Sequence, residues 1–136
     1  MSVKPDSTRS EESKQTVKAM YDAGVSGDSA GFFRVIHENA EVHEPPCLPY
    51  GGSYRGHGAI GSLAIHIGKF LDLSTLKVDH MLAEGDLVFA SVRVKTRSGN
   101  EIEMLEQSRV RNGKIVDLRI FYFDPTVLLK EIPVLI

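Results

Sequence analysis

Two glutamates in this chain stand where carboxyl groups do proton chemistry. Glu44 ends a short alternating segment, residues 40–44, and is followed by Pro45 and Pro46. Prolines cannot continue a central strand and restrict the residue before them, so Glu44 is presented at the last strand position, facing whatever cavity the scaffold leaves. Glu106 shares its side-chain parity with Ile102, Met104, Ser108 and Val110, which puts it on a mostly apolar strand face. Burial there raises a carboxyl pKa and favours the neutral acid. A carboxylate base beside a neutral acid suits enolisation: Glu44 takes a proton and Glu106 stabilises the enolate. The competing reading is structural, with Glu44 an exposed strand-end carboxylate and Glu106 paired with Arg or Lys.

Other residues have weaker claims. Asp124 precedes Pro125, the pattern of a helix N-cap followed by N1, yet it shares strand parity with Tyr122 and so reaches a pocket mouth. Tyr50 and Tyr54, in the Gly-rich loop after the proline pair, are residues for holding a ligand or for turning tightly. His43 has the opposite parity from Glu44 and belongs to the other face of its strand. The five histidines form no metal set by spacing, so no metal is expected. Cys47 has no His-paired nucleophile context and reads as a small apolar filler. Gly56-His57-Gly58-Ala59-Ile60-Gly61 matches G-x-G-x-x-G, but a Pro-rich loop precedes it and hairpins follow. That context is wrong for a dinucleotide site, and no cofactor is expected.

The elements that must position these residues follow from periodicity. Residues 1–9 are a loose polar lead-in, and residues 10–136 form a single domain. Val17, Met20, Tyr21 and Gly24 have helical spacing from Ser10 onward. Gly27 ends that helix, and Asp28 caps a second one carrying Phe32, Phe33, Val35 and Ile36. A third helix spans residues 59–71, with Ile60, Leu63, Ile67 and Phe70 on its apolar face. Four strands follow at 76–84, 87–97, 101–111 and 114–124, linked by short turns, of which Asn112-Gly113 is a strong hairpin signal. Short links demand antiparallel neighbours. Helices first and a meander afterwards define an α+β fold with helices packed on one face of a curved antiparallel sheet. Val88, Ala90, Val92 and Val94 face inward, as do Val116, Leu118, Ile120 and Tyr122. Phe89, Leu105, Phe121 and Phe123 fall on the outer face, a patch that predicts a homodimer.

Composition is that of an ordinary globular domain: 136 residues, 42% hydrophobic, 25% charged, net charge −2. That balance, with no clustered basic surface, argues against nucleic acid. No apolar run approaches membrane-span length, no signal-peptide h-region follows the start, and the single cysteine fits a reducing compartment. A cytoplasmic location is expected.

Several strings, in order, resemble the NTF2-like superfamily and within it the SnoaL-like proteins. They are Ser26-Gly27-Asp28, Glu38-Asn39-Ala40-Glu41-Val42-His43-Glu44-Pro45, Tyr54-Arg55-Gly56-His57-Gly58-Ala59-Ile60, Asn112-Gly113-Lys114-Ile115-Val116 and Tyr122-Phe123-Asp124-Pro125. The resemblance covers about residues 14–130. It implies a cone of curved sheet wrapped around three N-terminal helices with an internal pocket, in a superfamily that includes ketosteroid isomerases, polyketide cyclases, dehydratases and epoxide hydrolases beside binding-only members. Glu44 falls where the isomerases keep a general-base Asp, and Glu106 where they keep a protonated Asp that donates to the oxyanion. The isomerase tyrosine of the first helix falls at Met20, leaving Tyr50, Tyr54 or Tyr122 to supply a hydroxyl. The expected catalytic set is therefore Glu44, Glu106 and Asp124, with Met20, Tyr50, Tyr54, Met104 and Tyr122 contacting a small apolar ligand. The expected activity is proton transfer of the isomerase, cyclase or lyase type on an apolar cyclic ketone or polyketide-like molecule. The alternative is a ligand-binding or protein-association module without chemistry.

Overall fold

The computed structural model describes residues 6–132. Helix α1 (Asp6–Ser26) is followed by α2 (Ser29–Arg34), strands β1 (Ile36–Glu44) and β2 (Gly52–Arg55), helix α3 (Gly56–Ile67), strands β3 (Leu71–Glu84), β4 (Leu87–Thr96), β5 (Glu101–Arg111) and β6 (Lys114–Tyr122), and a closing turn of helix, α4 (Pro125–Leu129). The strands form one sheet in the order β2-β1-β6-β5-β4-β3. Every neighbouring pair is antiparallel except β1 with β6, which run parallel. The α+β class and the helix-covered curved sheet agree with expectation.

The alternation rule sorts the central strands correctly. Val88, Ala90, Val92 and Val94 on β4 are at most 1% exposed, and Ile102, Met104, Glu106, Ser108 and Val110 on β5 are all buried. On β6 the rule slips by one residue. Ile115 pairs with Val110 and Asp117 with Arg109, so Val116 is the extra residue of a β-bulge. Ile115 is consequently buried in place of Val116, while Leu118 keeps its inward place. Among the hairpin turns, Asn112 and Gly113 take φ of 52° and 74°, the left-handed pair that a two-residue turn requires.

Element boundaries differ from expectation wherever a side chain or a glycine redirects the backbone. Residues 6–9, expected in the lead-in, are the first turn of α1; the rest of that lead-in lies outside the described residues. Ser13 Oγ donates to the Gly85 carbonyl and Ser10 Oγ accepts from the Gly85 amide, both at 2.8 Å, which fastens α1 to the β3–β4 turn. Asp28 caps α2 by accepting from the Gly31 amide at 2.9 Å, as expected, but Ile36 opens β1 instead of extending the helix. Residues 52–55, expected as loop, pair with β1 as β2. Gly56, at φ 85°, then turns the chain directly into α3, three residues ahead of Ala59. Strand β3 starts at Leu71, expected at the end of the third helix, and its register shifts between Asp72 and Lys77. There Asp72 accepts from Ser74, and Thr75 Oγ1 accepts the Lys95 amide, so side chains stand in for ladder bonds and erase the period-2 pattern.

Helix α4 plugs the end of the domain with Leu128, which is fully buried. Leu128→Ala should cost about 2–5 kcal/mol, the range for truncating a core leucine, in urea unfolding with an unchanged m value.

Candidate functional site

Between the sheet and helices α1 to α3 lies a cavity of about 160 Å³. Helix α1 contributes Met20 and Tyr21, α3 contributes Ile60, Leu63 and Ile67, and the strands contribute Val42, Leu71, Met104, Leu118 and Ile120. Only four lining side chains carry polar oxygens: Tyr21, Glu44, Glu106 and Tyr122. Both glutamates therefore reach one apolar cavity, although they are 62 positions apart in the chain (106 − 44).

Each acid has its own tyrosine. Tyr21 donates to Glu106 Oε1 at 2.8 Å, and Tyr122 donates to Glu44 Oε2 at 3.2 Å. Tyr50 Oη lies 3.2 Å from Tyr122 Oη; because the Tyr122 proton is directed at Glu44, Tyr50 donates to Tyr122. Tyr54 donates to the Tyr50 carbonyl at 2.7 Å and so holds the loop, not the cavity. Tyr50 is itself anchored by its ring, parallel to Phe70 at 6.5 Å and edge-on to His66 at 5.9 Å. Gly51 allows that loop to close: a Cβ there would sit 2.3 Å from the Pro45 carbonyl oxygen and 2.8 Å from Pro46 Cα.

The two acids are not equivalent. Desolvation lifts Glu44 to about 8, with the charge of Glu106 adding to the rise and the Tyr122 hydrogen bond partly opposing it. Desolvation also lifts Glu106, but only to about 6, because the hydrogen bond from Tyr21 favours its charged form. The pair thus ionises in two steps and shares one proton near neutrality. Burial raises Glu106 as expected, and it raises Glu44 as well. Glu44 Oε1 is buried without a hydrogen-bond partner among the described residues, a free position for a proton or a ligand.

Met20, Met104 and Tyr122 line the cavity, and Tyr50 touches it only through Tyr122. Asp124 does not join the set. Its exposed carboxylate caps α4, accepting from the Thr126 amide at 3.1 Å and hydroxyl at 2.5 Å, and these bonds hold its pKa below the ordinary value. Tyr122 ends β6, so the parity carried to residue 124 no longer applies. Tyr21 is the cavity residue that a positional match to Met20 overlooks. The available signal was its spacing of four from Val17, which places it on the buried face of α1. Cys47 is exposed, and Leu48 fills the core instead. Gly56, Gly58 and Gly61 open α3 after an antiparallel strand, so the βαβ unit of a dinucleotide site is absent from this segment.

A curved, unclosed sheet closed over by N-terminal helices around a pocket is the NTF2-like architecture, and solved structures agree. An NTF2-like protein from Burkholderia xenovorans LB400 matches with TM-score 0.74 and 24% identity over 90% of this chain and 96% of that one. Bal32a, from a soil-derived mobile gene cassette, matches with TM-score 0.79 and 23% identity over 90% and 98%. TerC, co-crystallised with polyporic acid, matches with TM-score 0.73 and 19% identity over 88% and 97%. No curated protein matches by sequence. The model of the SnoaL-like domain matches residues 17–118, and the chain belongs to that family.

Two measurements follow from the carboxyl pair. Tyr21→Phe removes the bond that favours ionised Glu106, so the Glu106 carboxyl resonance should titrate above about 6 in carbon-detected NMR, while an unchanged midpoint would mean that Tyr21 does not set it. Glu44 binds its proton more tightly folded than unfolded, its pKa rising from an ordinary 4.5 to about 8, so its contribution to stability is full below about 4.5 and is lost as pH rises through about 8. In urea unfolding across that window Glu44 contributes a fall of at most about 1.4 kcal/mol per pH unit, Glu106 adds to the slope below about 6, and Glu44→Gln should flatten the decline between about 6 and about 8.

Proposed function

We propose that this protein is a cofactor-free proton-transfer enzyme acting on a small apolar carbonyl compound, by chemistry of the isomerase, cyclase or lyase type. The observation that carries this reading is the pair of buried acids sharing one apolar cavity with pKa values pushed to about 8 and about 6. A cavity that only bound an apolar ligand gains nothing from two desolvated carboxyl groups, each of which costs free energy to bury. Near neutrality Glu106 is the carboxylate and takes the proton α to the carbonyl. Neutral Glu44 donates from its unpartnered Oε1 to the carbonyl oxygen as charge develops there. Tyr21 positions Glu106, and Tyr122, backed by Tyr50, positions Glu44. These roles are the reverse of the assignment drawn from the isomerase resemblance.

Size supports a compact substrate. An apolar cavity of about 150 Å³ accommodates benzene, so a cavity of about 160 Å³ suits one ring or a short chain more than a fused polycycle. The likeness to TerC, which was crystallised with polyporic acid, supports a small-molecule ligand. We also infer a homodimer through the outer sheet face, where Leu105, Phe121 and Phe123 are 43%, 44% and 85% exposed. Among the described residues no helix is long and apolar enough to cross a membrane, and a cytoplasmic location is part of this reading.

The test is hydrogen–deuterium exchange of single-ring enolisable ketones in deuterated buffer, followed by proton NMR. Wild type should accelerate exchange α to the carbonyl, and Glu106→Gln should lower the rate by about 100-fold or more. A ketone that binds by ligand-observed NMR with no accelerated exchange would make this a binding domain.

A further inference from the structure

The outer face of the same sheet carries a second cluster that the cavity chemistry does not use. Glu41 and His43 project from β1 with outward parity, and Asp117 comes from β6. His43 Nε2 lies 2.7 Å from Asp117 Oδ1 and 3.6 Å from Glu41 Oε2. One ligand atom from each of the three residues falls within 4.8 Å of the others. On its far side His43 Nδ1 meets Ser53 Oγ at 2.7 Å, so both ring nitrogens are held and the ring orientation is set.

The cluster has an electrostatic problem that a cation resolves. Glu41 and Asp117 are direct register partners across the parallel β1–β6 pair, and like charges directly opposite one another destabilise a sheet. Arg109, the register partner of Asp117 on β5, directs its guanidinium to Asp86 at 3.2 Å. Arg55 approaches only the Glu41 Oε1 side, at 3.7 Å, leaving Oε2 turned toward His43. The side chains of His43, Asp117 and Glu41 are 20%, 35% and 39% exposed, open enough for an ion and its waters yet partly shielded.

We propose that Glu41, His43 and Asp117 form a binding site for a Zn²⁺-class divalent cation that ties β1 to β6. Zinc bonds to imidazole nitrogen and carboxylate oxygen are about 2.0–2.2 Å, which puts two ligands of a tetrahedral ion about 3.4 Å apart. The 3.6 Å separation to Glu41 matches that spacing, and the 2.7 Å His43–Asp117 hydrogen bond opens by about 0.7 Å when an ion replaces its proton. The imidazole selects zinc, cobalt or nickel over magnesium and calcium, which take oxygen ligands. Because a carboxylate only accepts, Nε2 donates its proton to Asp117 in the metal-free protein. An ion takes the place of that proton, Nδ1–H then donates to Ser53 Oγ, and Ser53 orients the ligand. Water completes the coordination. Sequence spacing hides the site because its third ligand lies on a strand 74 positions from His43.

Tag-free protein titrated with Zn²⁺ by calorimetry, and with Co²⁺ by visible absorption, decides the matter. The expected result is one ion per chain, a cobalt d–d band, a higher Tm with Zn²⁺, and at least tenfold weaker binding in both His43→Ala and Asp117→Asn. Ser53→Ala should weaken binding by about tenfold while leaving the stoichiometry intact. No binding at millimolar Zn²⁺, or binding undiminished in the two variants, overturns the proposal. Circular dichroism checks each variant's fold, and the conservative Asp117→Asn carries the test if His43→Ala does not fold.

Discussion

Two carboxyl groups enclosed in one apolar cavity cannot both be charged at low cost, and the surroundings of the cavity manage that constraint. Each buried acid is met by a phenol instead of a cation, so neither is neutralised outright. A phenol hydrogen bond stabilises a carboxylate modestly, which leaves both acids with raised pKa values and separates them by environment. Among the described residues no arginine lines the cavity; Arg93 on the neighbouring strand β4, for example, pairs with Asp79 and Glu101 among exposed groups.

The delivery of Glu44 depends on chain features that look unrelated to chemistry. Strand β1 is gripped on one side by β2 and on the other by β6, and Pro45 ends it where Glu44 points inward. The loop then folds back through Gly51 and plants Tyr50 against Phe70 and His66, which brings the Tyr50 hydroxyl to Tyr122. The hydrogen-bond line Tyr50–Tyr122–Glu44 thus couples a loop conformation to the position of an acid. A change in loop packing would be felt at Glu44 without any direct contact.

Much of this was readable from residue pattern, because β4 and β5 are regular strands and strict alternation placed Glu106 inside. Glu44 was readable because the Pro45-Pro46 pair marks a strand end. The failures share a cause: backbone irregularity that no periodicity rule carries. The bulge at Val116 moved Ile115 inward, the Asp72–Ser74 turn disguised the start of β3, and the end of β6 at Tyr122 released Asp124 to solvent. Tyr21 failed differently. It was visible as part of the buried face of α1, but whether Met20 or Tyr21 points at Glu106 depends on helix rotation, which packing decides.

Strand β3 has a consequence for how copies of this chain meet. The sheet is not closed, and β3, fourteen residues long, is its outer edge beside β4. A long straight edge invites addition of a strand from another molecule and growth into aggregates. Here the edge is broken twice in register, between Asp72 and Lys77 and between Val78 and His80, and carries charges at Lys77 and Asp79. An incoming strand finds no continuous row of aligned amides and carbonyls. The irregularity that obscured β3 in the sequence therefore acts as a guard against edge-to-edge strand addition.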